Sequence, residues 1–275
     1  MAKPELAKLT LAKPWDLIVI GGGSAGLTAA TMGGRVGART LLVDKEALGG
    51  DCLHHGCVPS KAFIRCGRAA HEVRNAGRFG VAASDVSLDF AASMDWVRSC
   101  IAEIARHDSV EAMAEVGVQV AMGGAELVSA TAVRVGGERV ETAKHIIICV
   151  GSGASAPPIP GLDRVDYLTN ETVFNLRERP ARLGIIGAGP IGVELGQTFA
   201  RLGSEVTIFE MDNRPLGQDD EELTGILATE LQKELTLSLS TGVTSVVQDG
   251  EEVVVQYERE GVSGSYRCDR LLVAV

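Results

Sequence analysis

Short runs of apolar residues alternate with stretches of helical periodicity along this chain. That alternation predicts buried parallel strands separated by helices. Asp16-Leu17-Ile18-Val19-Ile20 is the first such run. A glycine loop follows at once, then a predicted helix from about Ser24 to Val36, then the strand Leu41-Leu42-Val43 ending on Asp44. The succession recurs: Arg182-Leu183-Gly184-Ile185-Ile186, a second glycine loop, a helix to about Leu202, and the strand Glu205 to Phe209 ending on Glu210. Between the two, Phe90, Met94, Val97, Ile101 and Ile104 recur at helical spacing, as the core-facing stripe of a long helix would. Val118 to Val140 reads as short strands with a hairpin turn at Gly136-Gly137. His145 to Val150 reads as another buried strand, closed by Gly151-Ser152-Gly153. Pro157-Pro158-Ile159-Pro160-Gly161 is a stiff connector, Asp249-Gly250 marks a second hairpin, and Leu271 to Val275 is a last apolar strand.

The two glycine loops carry the first chemistry. In Gly21-Gly22-Gly23-Ser24-Ala25-Gly26, Gly21 makes the tight turn, Gly23 lets the backbone approach a pyrophosphate, and Gly26 lets helix pack on strand. The helix N-terminus faces the phosphates, and Asp44 can accept hydrogen bonds from a ribose. Gly187-Ala188-Gly189-Pro190-Ile191-Gly192 repeats the arrangement, with Glu210 as its acid. The chain is therefore α/β, with two Rossmann-like dinucleotide-binding units in succession.

Cys52 and Cys57 stand five positions apart, in Gly50-Asp51-Cys52-Leu53-His54-His55-Gly56-Cys57. Five residues of regular helix rise roughly 7.5 Å, whereas a disulfide needs Cα atoms within about 7 Å. A bridge thus requires the segment to depart from regular helix, and Gly56 supplies that freedom. Pro59 then favours a helix start, and Lys61, one turn past Cys57, would favour its thiolate. The competing readings are two unrelated thiols or half of a zinc site. A zinc site would show a closer pair and a second pair of ligands, whereas Cys66, Cys100, Cys149 and Cys268 are scattered singly, so no metal is expected. Beside two nucleotide loops, the pair points to thiol–disulfide chemistry driven by a redox cofactor.

Composition narrows the partners. A formal net charge of −10 over 275 residues disfavours nucleic acid and anionic membrane as partners. No apolar run approaches a membrane span, and Met1 to Pro14 lacks the apolar core of a secretory signal. Six cysteines without paired spacings fit a reducing compartment, so the expected location is cytoplasmic.

From Asp16 onward the chain resembles the pyridine nucleotide-disulfide oxidoreductases. The resemblance rests on the first glycine loop, the stretch from Gly49-Gly50 to Lys61, the Gly151 turn, the second glycine loop and the closing strand, all in family order. Pro59-Ser60-Lys61, Ala156 to Leu162 and Phe199 to Ser204 resemble the mercuric reductase and dihydrolipoamide dehydrogenase branch. The resemblance implies an N-terminal extension over 1–14, the first part of an FAD-binding domain over 15–156 and an NAD-binding domain over 157–275. Gly21, Gly23, Gly26 and Asp44 would bind FAD; Gly50, Asp51, Cys52, Gly151 and Ser152 would run along it, and Ala125 would meet its adenine end. Cys52 would be the interchange thiol that attacks substrate and Cys57 the charge-transfer thiolate against the flavin. Lys61 would pair with Glu194 near the flavin N5. Gly187, Gly189, Gly192, Glu194, Glu210 and Val243 would hold NAD(H). The implied activity passes electrons between NADH, FAD and a Cys52–Cys57 redox disulfide, with a small-molecule or protein disulfide as substrate; mercuric reductase is the alternative.

The sequence also departs from the family pattern. Asp51 stands where threonine is usual, His54 where asparagine is usual, and Pro190 where some members carry a tyrosine gate. The family continues past the strand ending at Val275 into a Gly-Asp motif that completes the FAD site, then into a dimerisation domain. The expectation is therefore a C-terminally truncated chain whose full-length form is a homodimer. A nucleotide-binding piece without turnover is the rival from another class.

Overall fold

The computed structural model describes residues 13–83, 87–137 and 139–275. Most of the N-terminal extension expected at 1–14 lies outside them. In chain order the elements are β1 (Trp15–Ile20), α1 (Ser24–Arg35), β2 (Thr40–Asp44), α2 (Gly50–His54), α3 (Cys57–Arg74), α4 (Phe90–Ala105), α5 (Val110–Glu115), β3 (Val118–Met122), β4 (Ala125–Ser129), β5 (Ala132–Val135) and β6 (Arg139–Ile148). There follow β7 (Arg182–Ile186), α6 (Pro190–Arg201), β8 (Glu205–Phe209), α7 (Glu221–Leu231), β9 (Thr236–Ser238), β10 (Thr241–Asp249), β11 (Glu252–Arg259), β12 (Val262–Cys268) and β13 (Arg270–Val273).

The chain divides into two compact units. One holds the described residues up to Gly50 together with Ala105–Gly151; the other holds those of Asp51–Ile104 together with Ser152–Val275. The segment 51–104 thus groups with the second glycine loop, because α3 packs closely on α6. Gly67 makes this approach possible, since a Cβ there would sit 3.1 Å from Thr198 Cγ2. Phe63 meets Phe199 edge-on, ring centroids 5.0 Å apart, inside a core that also takes Phe90, Met94 and Val97 from α4.

The first unit is one sheet in the order β3-β2-β1-β6-β5-β4. The strands β3, β2, β1 and β6 run parallel, whereas β5 and β4 return antiparallel. Leu27, Ala30 and Met113 cover one face of the parallel strands, and Val133 and Val135 cover the other. Gly136 and Gly137 both take positive φ, 62° and 84°, as the predicted hairpin turn requires. The expectation of a buried strand at His145 to Val150 is not met. β6 ends at Ile148, and Ile147, Ile148 and Val150 are 41%, 57% and 68% exposed. Pairing with β1 fixes that backbone, but the end of β6 runs beyond the residues the two covering layers bury.

The second unit holds a parallel sheet, β13-β7-β8-β9, and an antiparallel one, β10-β11-β12. The connector at Pro157 to Gly161 is docked onto β10: Val246 N–H donates to Pro160 O at 3.0 Å, and Gly161 at φ +84° leaves no room for a side chain against Val246 O.

Candidate functional site

Each glycine loop is built by its own residues. In the first, Gly21 takes φ +100°, and its N–H donates to Val43 O at 2.8 Å. A Cβ on Gly21 would lie 2.2 Å from Cys149 O, and one on Gly26 would lie 1.7 Å from Gly21 O. No other residue fits either place. Gly23 is the N-cap of α1 without a side-chain hydrogen bond, so the first-turn N–H groups are left for a ligand. By contrast α5 and α7 are closed by side chains, Ser109 accepting from Ala112 N and Asp220 from Leu223 N, whereas α3 starts uncapped on Gly56.

The second loop repeats this construction. Gly187 takes φ +102°, a Cβ on Gly192 would lie 2.0 Å from Gly187 O, and α6 starts on Gly189 with Pro190 following and no side-chain cap. Both bare helix starts fit the phosphates of a dinucleotide.

The strand-end acids do more than the sequence suggests. Asp44 Oδ2 accepts the Gly22 N–H at 2.6 Å and Oδ1 accepts Glu46 N–H at 2.9 Å. Glu210 Oε2 accepts the Ala188 N–H at 2.6 Å and Oε1 accepts Asp212 N–H at 3.0 Å. Each acid therefore braces its own loop. A carboxylate has about four lone-pair sites, so both retain capacity for ribose hydroxyls. The brace escaped sequence reasoning because its partner is a backbone N–H, which leaves no residue signature.

Around the first loop, Gly49 N–H donates to Gly22 O at 2.8 Å, and Gly50 lies against Gly23, where a Cβ would come within 2.6 Å of Gly23 Cα. Gly123 N–H donates to Asp44 O at 2.7 Å, which brings the start of β4, with Ala125, beside the end of β2. Gly151 takes φ +67° with open space where its side chain would be, and Ser152 is exposed. Beside the second loop lies a cleft of about 320 Å³. Gly187, Glu210 and Val243 line it together with Pro158, Phe209 and Met211.

Cys52 and Cys57 are brought together across the break between α2 and α3. Both are free thiols, Cys52 half-buried and Cys57 exposed. The Cys57 thiol donates a hydrogen bond to the Cys52 sulfur, which pushes Cys57 above its ordinary value, with some burial adding to it. Lys61 acts in the expected direction, lowering it, but is outweighed. The two free thiols lie side by side, which is the reduced form of the redox pair the sequence implies. Cys268 is different in kind, since burial in the core pushes it up to about 11.

The expected ion pair between Lys61 and Glu194 is not formed among the described residues, where both side chains are exposed. Gly67 meets Thr198, and Arg74 donates to Arg201 O, so α3 and α6 run in the same direction. Lys61 and Glu194 sit at the same end of that helix pair, roughly 9 Å and 6 Å of helix rise from the crossing. Helix register brings them to one end, and their exposed side chains extend into solvent.

His54 and His55 stand in the turn between the cysteines, ring centroids 6.1 Å apart. Among the described residues no group of three or more His, Cys, Asp or Glu could hold a metal ion.

A family model described as pyridine nucleotide-disulphide oxidoreductase matches residues 15–275. A mercuric reductase of Bacillus cereus is 34% identical over 94% of this chain and 41% of its own length. Dihydrolipoyl dehydrogenase 2 of Haloarcula marismortui is 35% identical over 94% of this chain and 56% of its own. Among solved structures, the HOCl-induced flavoprotein disulfide reductase RclA from Escherichia coli superposes with a TM-score of 0.79 at 26% identity, over 94% of this chain and 56% of that one. The chain spans about half the length of the curated relatives it matches.

Proposed function

The chain belongs to the pyridine nucleotide-disulphide oxidoreductase family, and we propose that it carries the FAD loop, the NADH loop and the redox dithiol of an NADH-dependent disulfide oxidoreductase. One observation supports this most: two uncapped glycine-loop helices, each braced by a strand-end carboxylate, share the chain with a pair of hydrogen-bonded thiols. FAD, when bound, supplies the two-electron step between NADH and sulfur. Gly21, Gly23, Gly26, Asp44, Gly50, Asp51, Ala125, Gly151 and Ser152 are the residues proposed to hold it. Gly187, Gly189, Gly192, Glu194, Glu210 and Val243 are proposed for NADH.

The proposed roles combine this chain's own chemistry with what the family resemblance implies. The α1 and α6 N-termini hold phosphates without a charged side chain. Cys52 is the interchange thiol and Cys57 the thiol nearer the flavin. Lys61 lowers the cost of a thiolate at Cys57. Lys61 and Glu194, at one end of the α3–α6 pair, are proposed to close on one another when the cofactor is bound.

NADH is favoured over NADPH. Glu210 repels a 2′-phosphate, and the two nearby arginines that could offset this are engaged with protein groups. Arg214 donates to Gly217 O and Asp219 O at 2.7 Å each, and Arg201 makes two bonds to Glu234 at 2.7 and 2.8 Å.

Among the described residues no helix is long and apolar enough to cross a membrane. A reducing, cytoplasmic setting with a role in cell redox homeostasis, and a homodimeric full-length form, complete the proposal. The oxidised substrate is a small-molecule or protein disulfide, with Hg(II) the alternative because mercuric reductases stand among the relatives.

The test is to load the protein with FAD, follow flavin bleaching on addition of NADH, and count thiols before and after. Bleaching with two thiols gained at Cys52 and Cys57, and turnover with lipoamide or Hg(II), is the expected result. A chain that binds NADH but shows no flavin and no thiol change is a nucleotide-binding piece only.

A further inference from the structure

The turn between the two thiols is held by a residue that the glycine loops and the thiols themselves do not account for. Asp51 O accepts the His55 N–H at 2.8 Å, which closes the backbone between Cys52 and Cys57. The Asp51 carboxylate lies over Gly56, where a Cβ would come within 3.0 Å of Oδ2 and 3.3 Å of Cys52 Cα. Its other oxygen, Oδ1, accepts from Asn170 Nδ2 at 3.3 Å.

Asn170 is itself held in place. The 169–173 turn is closed by Thr169 N–H to Thr172 Oγ1 at 2.9 Å and Val173 N–H to Thr169 O at 3.0 Å. The preceding residue is tied to β13: Leu168 N–H donates to Leu271 O at 2.7 Å, and Val273 N–H donates to Leu168 O at 2.8 Å. β13 in turn pairs with β7, the strand that leads into the second glycine loop.

We infer that Asp51 is a positioning residue for the Cys52–Cys57 pair, anchored through Asn170 to the parallel sheet of the second unit. The inference rests on the redox reading of the thiols. Asp51 is exposed, so its contacts add little to burial. Their consequence is geometric: they limit how far Gly56, and with it Cys57, can move away from Cys52. Losing the anchor leaves the dithiol free to open, which lowers the effective concentration of one thiol at the other and disfavours ring closure to the disulfide.

The experiment is a redox titration of the intact protein with glutathione buffers at fixed pH, read by alkylation and peptide mass. In the reaction two protein thiols are oxidised and one S–S bond forms. Glutathione disulfide breaks its S–S bond and takes up the two protons and two electrons as two glutathione thiols. Asp51→Ala and Asn170→Ala should each lower the equilibrium constant for bridge formation by about three- to tenfold, the size of one hydrogen bond. The double variant should show no further loss, because both changes cut the same link. The reciprocal swap, Asp51→Asn with Asn170→Asp, should return the constant to within about twofold of wild type, since donor and acceptor are exchanged. Single variants at the wild-type constant, a double variant equal to the product of the singles, or a swap no better than the singles overturns the inference while leaving the redox reading intact. A wild type that never forms the Cys52–Cys57 bridge overturns both.

Discussion

The two glycine loops are nearly the same object in different surroundings. Their first glycines share φ values of 100° and 102°, and their carboxylate braces share a length of 2.6 Å. Around the first loop the backbone closes in. Gly50 packs on Gly23, and Gly22 has no room for a Cβ, which would lie 2.5 Å from Leu48 Cδ2. Around the second loop the matching position is a buried Ala188, and a cleft of about 320 Å³ stands open beside it. The local turn is set by a few residues, whereas how tightly a nucleotide is enclosed is set by what packs around that turn. A closed loop suits a cofactor that stays, and an open one suits a cofactor that exchanges.

Gly26→Ala and Gly192→Ala should break the comparison most sharply. Each places a Cβ within 2.0 Å of a backbone oxygen, so the helix must move off its strand. We expect about 3 kcal/mol of lost stability, the upper end of ordinary overpacking, measured by urea unfolding. The effects on ligands should separate: Gly26→Ala loses flavin and retains NADH, and Gly192→Ala does the reverse. Loss of both ligands in either variant would mean that the loops do not act independently.

Gly50→Ala tests the closed surroundings of the first loop. Gly50 sits at φ +58° and faces Gly23 with no space for a methyl group. The expected cost is about 1–3 kcal/mol with weakened flavin retention and unchanged NADH affinity. Equal weakening of both, in parallel flavin-release and NADH titrations, counts against the closed-versus-open distinction.

The braces come next. Asp44→Ala and Glu210→Ala each leave two backbone N–H groups without their carboxylate, a loss of about 1–2 kcal/mol apiece. Glu210→Ala should also weaken NADH about tenfold and remove most of the preference over NADPH. If the wild type binds both nucleotides equally, the specificity argument from Glu210 is wrong.

The smallest expected effect is in acid. In the second unit burial pulls the Glu234 carboxyl up, but Arg201 more than offsets it, helped by His71 and Gln197, leaving it below the ordinary 4.5. A carboxyl lowered on folding contributes stability that is full above its unfolded value and is lost as pH falls through its folded value. The second unit should therefore weaken below about pH 4.5, and Glu234→Gln should flatten that slope between pH 6 and pH 3. In the first unit Asp16 is lowered mainly by its hydrogen bond to Lys144, but on the surface, where solvent screens it. Added salt should accordingly erase more of the first unit's acid slope than the second's.

By itself the sequence determined both glycine loops, the strands that feed them, the acids that end those strands and the cysteine pair. Those features are local: a steric need for glycine, a run of apolar residues and a spacing along the chain all act over a few residues. Tertiary structure alone decided the rest. That segment 51–104 packs with the second loop follows from Gly67 lying against Thr198, across more than a hundred residues. Lys61 and Glu194 share an end of a helix pair without bonding, because crossing register fixes helices and not exposed side chains. Asp44 and Glu210 brace loops through backbone N–H groups, and Asp51 reaches Asn170, because hydrogen bonds of that kind depend on distance in space and leave no pattern in the order of residues.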